Sequence, residues 1–181
     1  MSQTHLIEEC KKNNRKAQLK LYKAYCDAMY YVAFGFLKDS CEAEDVVQES
    51  FVSAFLKLHQ FTGESPFGAW LKKIVVHKSL DMLRAKKMNM IALNEFNMEL
   101  VEEDGNWQVD DGITLEEVRK EIENLPEKYR CPLMLFLMEG YDHEEISEIL
   151  GITEISSRTL VHRAKKMLQI QLKEIYHGTG S

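Results

Sequence analysis

The stretch Gly140-YDHEEISEILGITEISSRTLVHRAKKM-Leu168 decides the fold of the carboxyl-terminal part of this chain. Asp142 and Glu145 have the spacing of a capping box, and Thr153 is a good N-cap for a second helix. Gly151 stands between them and can take the left-handed backbone conformation that ends a helix. The pattern predicts a short helix, a tight turn and a longer basic helix. This is a helix-turn-helix, whose second helix enters the DNA major groove.

The second helix of this motif divides into two faces. Ser157, Val161, Ala164 and Leu168 recur at helical spacing and are predicted to face inward. Arginine grips guanine or phosphate, and serine and threonine bond either. The predicted DNA contacts are Thr153, Ser156, Arg158, Thr159, His162, Arg163 and Lys166. An ordinary helical hairpin with a basic exposed face is the alternative on this pattern alone.

Outward from this motif the chain continues to indicate helices. Apolar residues recur at three and four over 17–37, 43–58 and 70–83, and again from Leu115 to Leu125. Capping pairs precede two of these stretches, Asp39 with Glu42 and Thr114 with Glu117. The sequence therefore predicts an all-α fold of two small helical domains joined by an acidic linker. The predicted bounds are 1–92, a linker over 93–112, a helix-turn-helix domain over 113–176 and a tail over 177–181.

Charge is unevenly distributed in this chain of 181 residues and net charge −6. Residues 71–90 and 155–173 each carry a net charge of +5, whereas residues 91–125 carry −9. Two basic patches separated by an acidic segment indicate two polyanion-binding modules, joined by a segment that does not bind the same polyanion. Solvated helix faces are the plainer interpretation of either patch alone.

Several classes of protein are disfavoured. The longest apolar stretch, Leu133 to Met138, is far shorter than a membrane span, and Glu8 and Glu9 stand where a signal peptide would be apolar. We therefore expect a cytoplasmic protein without membrane insertion. The four cysteines show neither a CxxC pair nor ligand-like spacing with histidine, so we expect reduced thiols and no metal. No phosphate loop, HExxH or nucleophile-elbow motif occurs, so we expect neither an enzyme nor a cofactor.

Read in order, these segments resemble bacterial RNA polymerase sigma factors of the sigma-70 family, in its extracytoplasmic-function (ECF) group. The resemblance rests first on Cys41-EAEDVVQESFVSA-Phe55 and Phe61-TGESPFGAWLKK-Ile74, followed by Lys78-SLDML-Arg84. It continues with Leu125-PEKY-Arg130 and Glu144-EISEILGI-Thr153, and ends with His162-Arg163-Ala164. The order and spacing of these motifs are more specific than any one of them.

The resemblance implies a function for each module. The amino-terminal module would bind core RNA polymerase and the −10 element of promoter DNA, and the carboxyl-terminal module would bind the −35 element. The implied polymerase contacts are Glu42, Asp45, Gln48 and Glu49. The implied −10 and melting contacts are His59, Phe61, Thr62, Ser65, Phe67, Trp70, Lys72, Lys73, His77, Lys78, Arg84, Lys86 and Lys87. Phe67 and Trp70 have two interpretations, base contact or core, and core is favoured for Trp70.

The resemblance also implies an anti-sigma factor as a partner and a linker that threads through the polymerase, although a plain tether explains the linker equally well. Two other functions stay open: an autonomous helix-turn-helix regulator that binds duplex operators without polymerase, and a protein-interaction module. Four residues depart from the family pattern and bear on base preference. His77 replaces asparagine, Ile155 replaces glycine, Ser157 replaces an apolar residue, and Leu160 replaces a polar or basic one.

Overall fold

The computed structural model describes residues 3–88 and 112–178, without the side chains of residues 87, 88 and 175–178. The chain divides into two compact units, Met1–Ala92 and Leu93–Ser181. Every regular element within the described ranges is helical, which confirms the all-α prediction. Apart from Gly112, the predicted acidic linker lies outside the described residues.

The amino-terminal unit contains four α-helices. They are α1 (Gln3–Lys11), α2 (Arg15–Leu37), α3 (Ser40–Leu56) and α4 (Phe67–Met88), with a 3-10 turn over Leu58–Gln60. Helices α2, α3 and α4 pack against one another around fully buried Leu21, Phe36, Val46, Leu71 and Val75. The predicted loop before α4 is confirmed, because residues 61–66 form neither helix nor strand.

Side-chain caps begin α2 and α3 in this unit. Asn14 caps α2 by accepting hydrogen bonds from the backbone N–H groups of Lys16 and Ala17. Asp39 caps α3 by accepting from Glu42 N at 3.0 Å, as predicted. Such caps satisfy backbone donors that have no intrahelical partner. Because Asn14 begins α2, the preceding residues Gln3–Lys11 form a separate helix, α1, which the sequence analysis did not predict.

The carboxyl-terminal unit contains α5 (Leu115–Asn124), α6 (Glu127–Leu137), α7 (His143–Leu150) and α8 (Glu154–Gly178). Thr114 and Glu117 form the predicted capping box, and these hydrogen bonds hold the pKa of the Glu117 carboxyl below its usual value. Arg130 Nη1 donates to Leu125 O at 3.0 Å and so ties the start of α6 to the end of α5. Helix α8 packs against α5, α6 and α7 and supplies Ala164 and Leu168 to the core. It continues to Gly178, two residues into the segment predicted as a tail.

Candidate nucleic-acid and protein interfaces

The outer face of α3 is acidic at its beginning and apolar at its end. Asp45, Glu49, Val52 and Leu56 are exposed and follow one another at intervals of four, three and four residues. Residues at these intervals lie on one face of a helix. Val52 is 61% exposed and Leu56 is 74% exposed. The sequence analysis found the acidic half of this face, together with exposed Gln48, but missed the apolar half.

Two of the acidic residues on α3 form ion pairs with lysines on α4. Lys78 Nζ lies 3.4 Å from Glu49 Oε2, and Lys86 is paired with Glu42. The structure therefore joins residues that the sequence analysis divided between polymerase binding and DNA binding. The pairs are partly exposed, and such pairs typically contribute about 0–1 kcal/mol to stability.

The remaining basic residues of α4 differ in exposure. Lys73, His77 and Arg84 are exposed, and Lys72 is half-buried. Arg84 Nη1 lies 3.2 Å from Asp81 Oδ1, so this basic face contains one acid. Lys87 lies outside the described side chains. His59 is exposed in the 3-10 turn that precedes the loop.

An aromatic cluster supports the loop over 61–66. The Phe61 ring lies 5.4 Å from Trp70 and 5.7 Å from Phe67, and Phe67 lies 5.4 Å from Tyr25, all between centroids. Phe67 is 1% exposed and Phe61 is 9% exposed. Of the two interpretations of Phe67, base contact or core, the structure supports core, because its ring is buried. Phe61 is also a core residue with little exposed surface, while Trp70 is half-buried.

A cleft of about 610 Å³ lies beside this loop. Its apolar lining includes Phe61, Phe67 and Pro66, and its polar lining includes Thr62 and Ser65, which are exposed. Gly63 has a φ of +83°, a conformation that favours glycine and shapes the turn of the loop. The opposite wall of the cleft comes from α1, which the sequence analysis missed.

The helix-turn-helix forms as the sequence predicts. Glu145 N donates to Asp142 Oδ1 at 2.8 Å, and Asp142 N donates to Glu145 Oε2 at 3.0 Å, which completes the capping box of α7. Gly151 has a φ of +66° and ends α7. Thr153 Oγ1 accepts from Ser156 N at 3.1 Å and begins α8. Thr153 and Ser156 are therefore capping residues as well as candidate DNA contacts.

The predicted contacts on α8 separate into exposed and buried residues. Arg158, Arg163 and Lys166 are exposed, and Arg158 Nη2 lies 2.7 Å from Glu154 Oε1. Thr159 is fully buried and its hydroxyl donates to Ile155 O at 2.9 Å, so the prediction that it faces outward is wrong. A threonine hydroxyl in a helix can bond the preceding turn of its own backbone, which removes the cost of its burial.

Two further residues on α8 differ from the predicted pattern. His162 is half-buried, and its Nε2 is buried without a hydrogen-bond partner among the described residues, so this nitrogen is not offered to DNA. Leu160 is 9% exposed and belongs to the core, so its position is not a base-reading one. Ile155, by contrast, is 43% exposed at the beginning of the helix.

A buried polar contact joins α8 to α7 on the side of α8 that faces the core. His143 Nδ1 lies 3.0 Å from Ser157 Oγ, and both residues are buried. The imidazole stacks on Phe136 with 4.8 Å between ring centroids, and Lys165 Nζ lies 4.5 Å from the same Phe136 centroid. The serine at an apolar position of the family pattern is therefore matched by a histidine on α7, a partner that sequence spacing alone did not reveal.

Groups of histidine, cysteine, aspartate or glutamate suited to a metal ion do not occur within residues 3–88 and 112–178. The four cysteines, all within these ranges, form no disulfide with one another, and Cys10 and Cys131 are buried. Over the same ranges, no helix has the length and apolar character needed to span a membrane.

Comparison with known proteins assigns both units to one family. The family model for sigma-70 region 2 matches residues 21–88, and that for sigma-70 region 4 matches residues 115–168. The ECF RNA polymerase sigma factor SigW of Bacillus subtilis is 28% identical over 181 residues, covering 93% of this chain and 96% of SigW. The chain belongs to the sigma-70 family of RNA polymerase sigma factors, in its ECF group, which confirms the resemblance.

Two solved structures share the fold. CnrH, in complex with the cytosolic domain of CnrY, superposes with a TM-score of 0.51 at 23% identity, covering 93% of this chain and 95% of CnrH. The sigma factor RpoE of Bartonella quintana, in complex with the anti-sigma factor NepR, gives a TM-score of 0.50 at 21% identity. That alignment covers 85% of this chain and 95% of RpoE.

Proposed function

We propose that this chain acts as an ECF-type sigma factor that binds core RNA polymerase, recognises the −35 and −10 promoter elements, promotes DNA melting and directs transcription initiation. The observation that carries this proposal is the presence of sigma-70 regions 2 and 4 in one chain, each with a basic helix surface. The role is one of binding and positioning, and it requires no catalytic group from this chain.

The outer face of α3 is the proposed site for core polymerase. Carboxylates at Asp45 and Glu49 suit a basic partner helix and repel DNA, while exposed Val52 and Leu56 provide apolar area on the same face. Gln48 adds an amide beside the acids. Because the face carries an apolar seam at heptad-like spacing, its proposed partner is an amphipathic helix or coiled coil.

The loop over 61–66 and the outer face of α4 are the proposed site for the −10 element. Melting requires bases to leave the stack and enter a pocket, while cations track the phosphate backbone. The cleft beside Thr62 and Ser65 supplies the pocket, and Lys73 and Arg84 supply exposed cations. Buried Phe61 and Phe67 support the loop and line the cleft instead of presenting open stacking faces.

The first turns of α8 are the proposed site for the −35 element. The amino-terminal residues of a recognition helix contact base edges, and later residues contact phosphates. Arg158 is held by Glu154 in the first turns, and exposed Ile155 beside them suits a thymine methyl group. Arg163 and Lys166 follow on the exposed surface. Thr159 and Leu160 are excluded from this proposal because they are buried.

We further propose an anti-sigma factor as a partner and the cytoplasm as the location. Large apolar side chains are exposed on both units, including Leu19 and Tyr31 on α2, Leu115 on α5 and Ile170 on α8. Exposed apolar residues provide contact area for a second protein.

Reconstitution with bacterial core polymerase tests the proposal. The purified chain is mixed with core enzyme, binding is measured by analytical gel filtration, and transcription is mapped on a genomic fragment library. We expect stoichiometric binding and discrete start sites preceded by shared −10 and −35 sequences. If the chain instead leaves core enzyme unbound and protects operators from nuclease by itself, it is an autonomous regulator and the proposal is wrong.

A further inference from the structure

Helix α1 forms one wall of the cleft beside the loop over 61–66. Gln3, Thr4, Ile7 and Glu8 line the cleft from the α1 side. The residues that carried the resemblance to sigma factors all follow α1, and the region 2 model begins only at residue 21. The contribution of α1 to this cleft is therefore a property of this chain's structure and not of those motifs.

Helix α1 is firmly attached to the unit. Ile7 and Cys10 are 7% and 2% exposed, and burial raises the pKa of the Cys10 thiol, so it stays neutral and packs as an apolar residue. Gln3 Nε2 donates to the Tyr25 hydroxyl on α2. A helix anchored at both ends can hold a wall of a binding site in a fixed position.

The lining of the cleft combines an apolar floor with acceptors at its rim. Ile7, Phe61 and Phe67 form apolar surface, and Glu8 and Glu64 bring one carboxylate from each wall. Glu8 Oε1 also accepts from Lys11 Nζ at 3.0 Å, which restrains this carboxylate. The volume of about 610 Å³ lies within the range of about 300–1,000 Å³ typical of small-ligand sites.

By its hydrogen-bonding chemistry, such a lining would favour some nucleobases over others. An ionised carboxylate only accepts hydrogen bonds, so it pairs with the exocyclic amine of cytosine or adenine, or with the N–H groups of guanine. Thymine has no exocyclic amine and presents two carbonyl oxygens. Its single donor, N3–H, lies between those two oxygens, so thymine can donate to only one carboxylate, whereas the two N–H groups of an exocyclic amine can serve both.

We propose that α1 completes the base-capture site of this chain, and that an unstacked base bearing an exocyclic amine enters the cleft between α1 and the loop and donates to Glu8 and Glu64. This inference rests on the proposed sigma function and adds to it the second wall of the pocket and the class of base it accepts. Flipped bases are read in this way along their Watson–Crick edges by other proteins that extrude them.

The test uses the full chain assembled with core polymerase on a promoter found by start-site mapping. Each position of the −10 element is varied to all four bases on the non-template strand, and open-complex formation is measured for each template. We expect one position at which thymine is disfavoured about tenfold against the best amine-bearing base, the size of one good side-chain–base contact. Glu8→Gln and Glu64→Gln should each reduce this preference at the same position, because an amide also donates to carbonyl oxygens.

Glu9→Gln is the matched control. It removes the same charge from the same helix, does not line the cleft, and keeps one of the two oxygens that accept from Lys12 and Asn14. It should retain the thymine discrimination of the unmodified chain. Helical content and unfolding temperature of all three variants check that α1 remains folded.

The outcomes separate this inference from the function on which it rests. If the unmodified chain supports no initiation with core polymerase, the sigma function itself fails. If it supports initiation but Glu8→Gln leaves base preference unchanged at every −10 position, the role of α1 is overturned. An effect of Glu64→Gln alone would also overturn it, because base reading would then belong to the loop without the second wall.

Discussion

Basic side chains on α4 and α8 form ion pairs with acids in different places. On α4, Lys78 and Lys86 pair with Glu49 and Glu42, which lie on the neighbouring helix and on the proposed polymerase surface. On α8, Arg158 pairs with Glu154 one turn earlier on the same helix. The partners of Lys78 and Lys86 can therefore be taken by a second ligand, whereas the partner of Arg158 moves with the recognition helix, as Asp81 moves with Arg84 on α4.

This difference has a consequence for how each module meets its ligands. In the amino-terminal module, we expect a basic partner that engages the acids of α3 to compete with Lys78 and Lys86 and to leave these lysines available for phosphate. In the carboxyl-terminal module, the surface of α8 is supported by the buried His143–Ser157 contact and is complete without another helix face. In the first module, the proposed polymerase surface on α3 and the proposed DNA surface on α4 would thus share the same ion pairs. In the second module, the residues proposed to contact DNA are different from the buried pair, His143 and Ser157, that supports α8.

The largest effect is expected from charge reversal on the outer face of α3. Asp45→Lys combined with Gln48→Lys places two cations against a basic partner and leaves the Glu42 and Glu49 pairs intact. We expect the affinity for core polymerase to fall about 100-fold, since like charges across an interface cost several kcal/mol. Fluorescence titration of core enzyme with labelled chain measures this.

Asp81→Lys is the control for that experiment, because it reverses a charge on α4 of the same module that is paired within α4 and not with α3. Its affinity for core polymerase, measured without DNA, should stay within about twofold of the unmodified chain. If Asp81→Lys and the double variant lost equal affinity for core polymerase, net charge, and not the outer face of α3, would govern the binding.

The next effect is expected on the recognition helix. Arg158→Ala and Arg163→Ala should each lower initiation from a −35-dependent promoter about tenfold, because one base or phosphate contact contributes about 1–3 kcal/mol. Lys173→Ala removes a charge near the other end of α8 and should have little effect. If scrambling the −35 element abolishes the difference between Arg158→Ala and the unmodified chain, the contact is specific. Persistence of the difference on the scrambled element would contradict it.

The carboxyl-terminal module was the more predictable of the two from sequence. Its boundaries depend on caps and turns, such as Asp142 with Glu145 and Gly151, which act over three or four residues and are visible as spacing. The errors there concern residues one turn into α8. Thr159 was predicted to face outward, but α8 packs against three helices and so buries a wider arc, which includes Thr159 and Leu160, than a simple amphipathic helix does.

The amino-terminal module was less predictable because its features depend on contacts distant in sequence. Helix α1 shows only a short apolar pattern, Leu6, Ile7 and Cys10, and the cleft that it forms with the loop joins residues about sixty positions apart. The pairs between α3 and α4 likewise require knowledge of how the two helices pack. Local spacing identified the loop and both helices, but the meeting of these surfaces depends on tertiary structure.

A smaller effect, on the stability of the carboxyl-terminal unit, is expected from removing the buried contact between His143 and Ser157. Ser157→Ala removes the partner of His143 Nδ1 in a buried site, and an unsatisfied buried polar group costs about 1–3 kcal/mol. Amide hydrogen exchange of α7 and α8 should accelerate accordingly, while exchange in α2 and α3 should not change. Ser147→Ala, at a less buried serine of α7, is the control. Protection of α7 equal to that of the unmodified chain would mean that the histidine finds another partner.

The smallest expected effect bears most directly on the coupling within the amino-terminal module. Glu49→Gln removes the partner of Lys78, so the isolated chain should bind a single-stranded oligonucleotide about two- to threefold more tightly at low salt, with the gain lost at high salt. Glu44→Gln removes the same charge from another exposed position of α3 and provides the matched control. If both variants gain equally, the improvement reflects net charge. If Lys78→Met abolishes the gain of Glu49→Gln but not that of Glu44→Gln, the ion pair links the polymerase face to the DNA face.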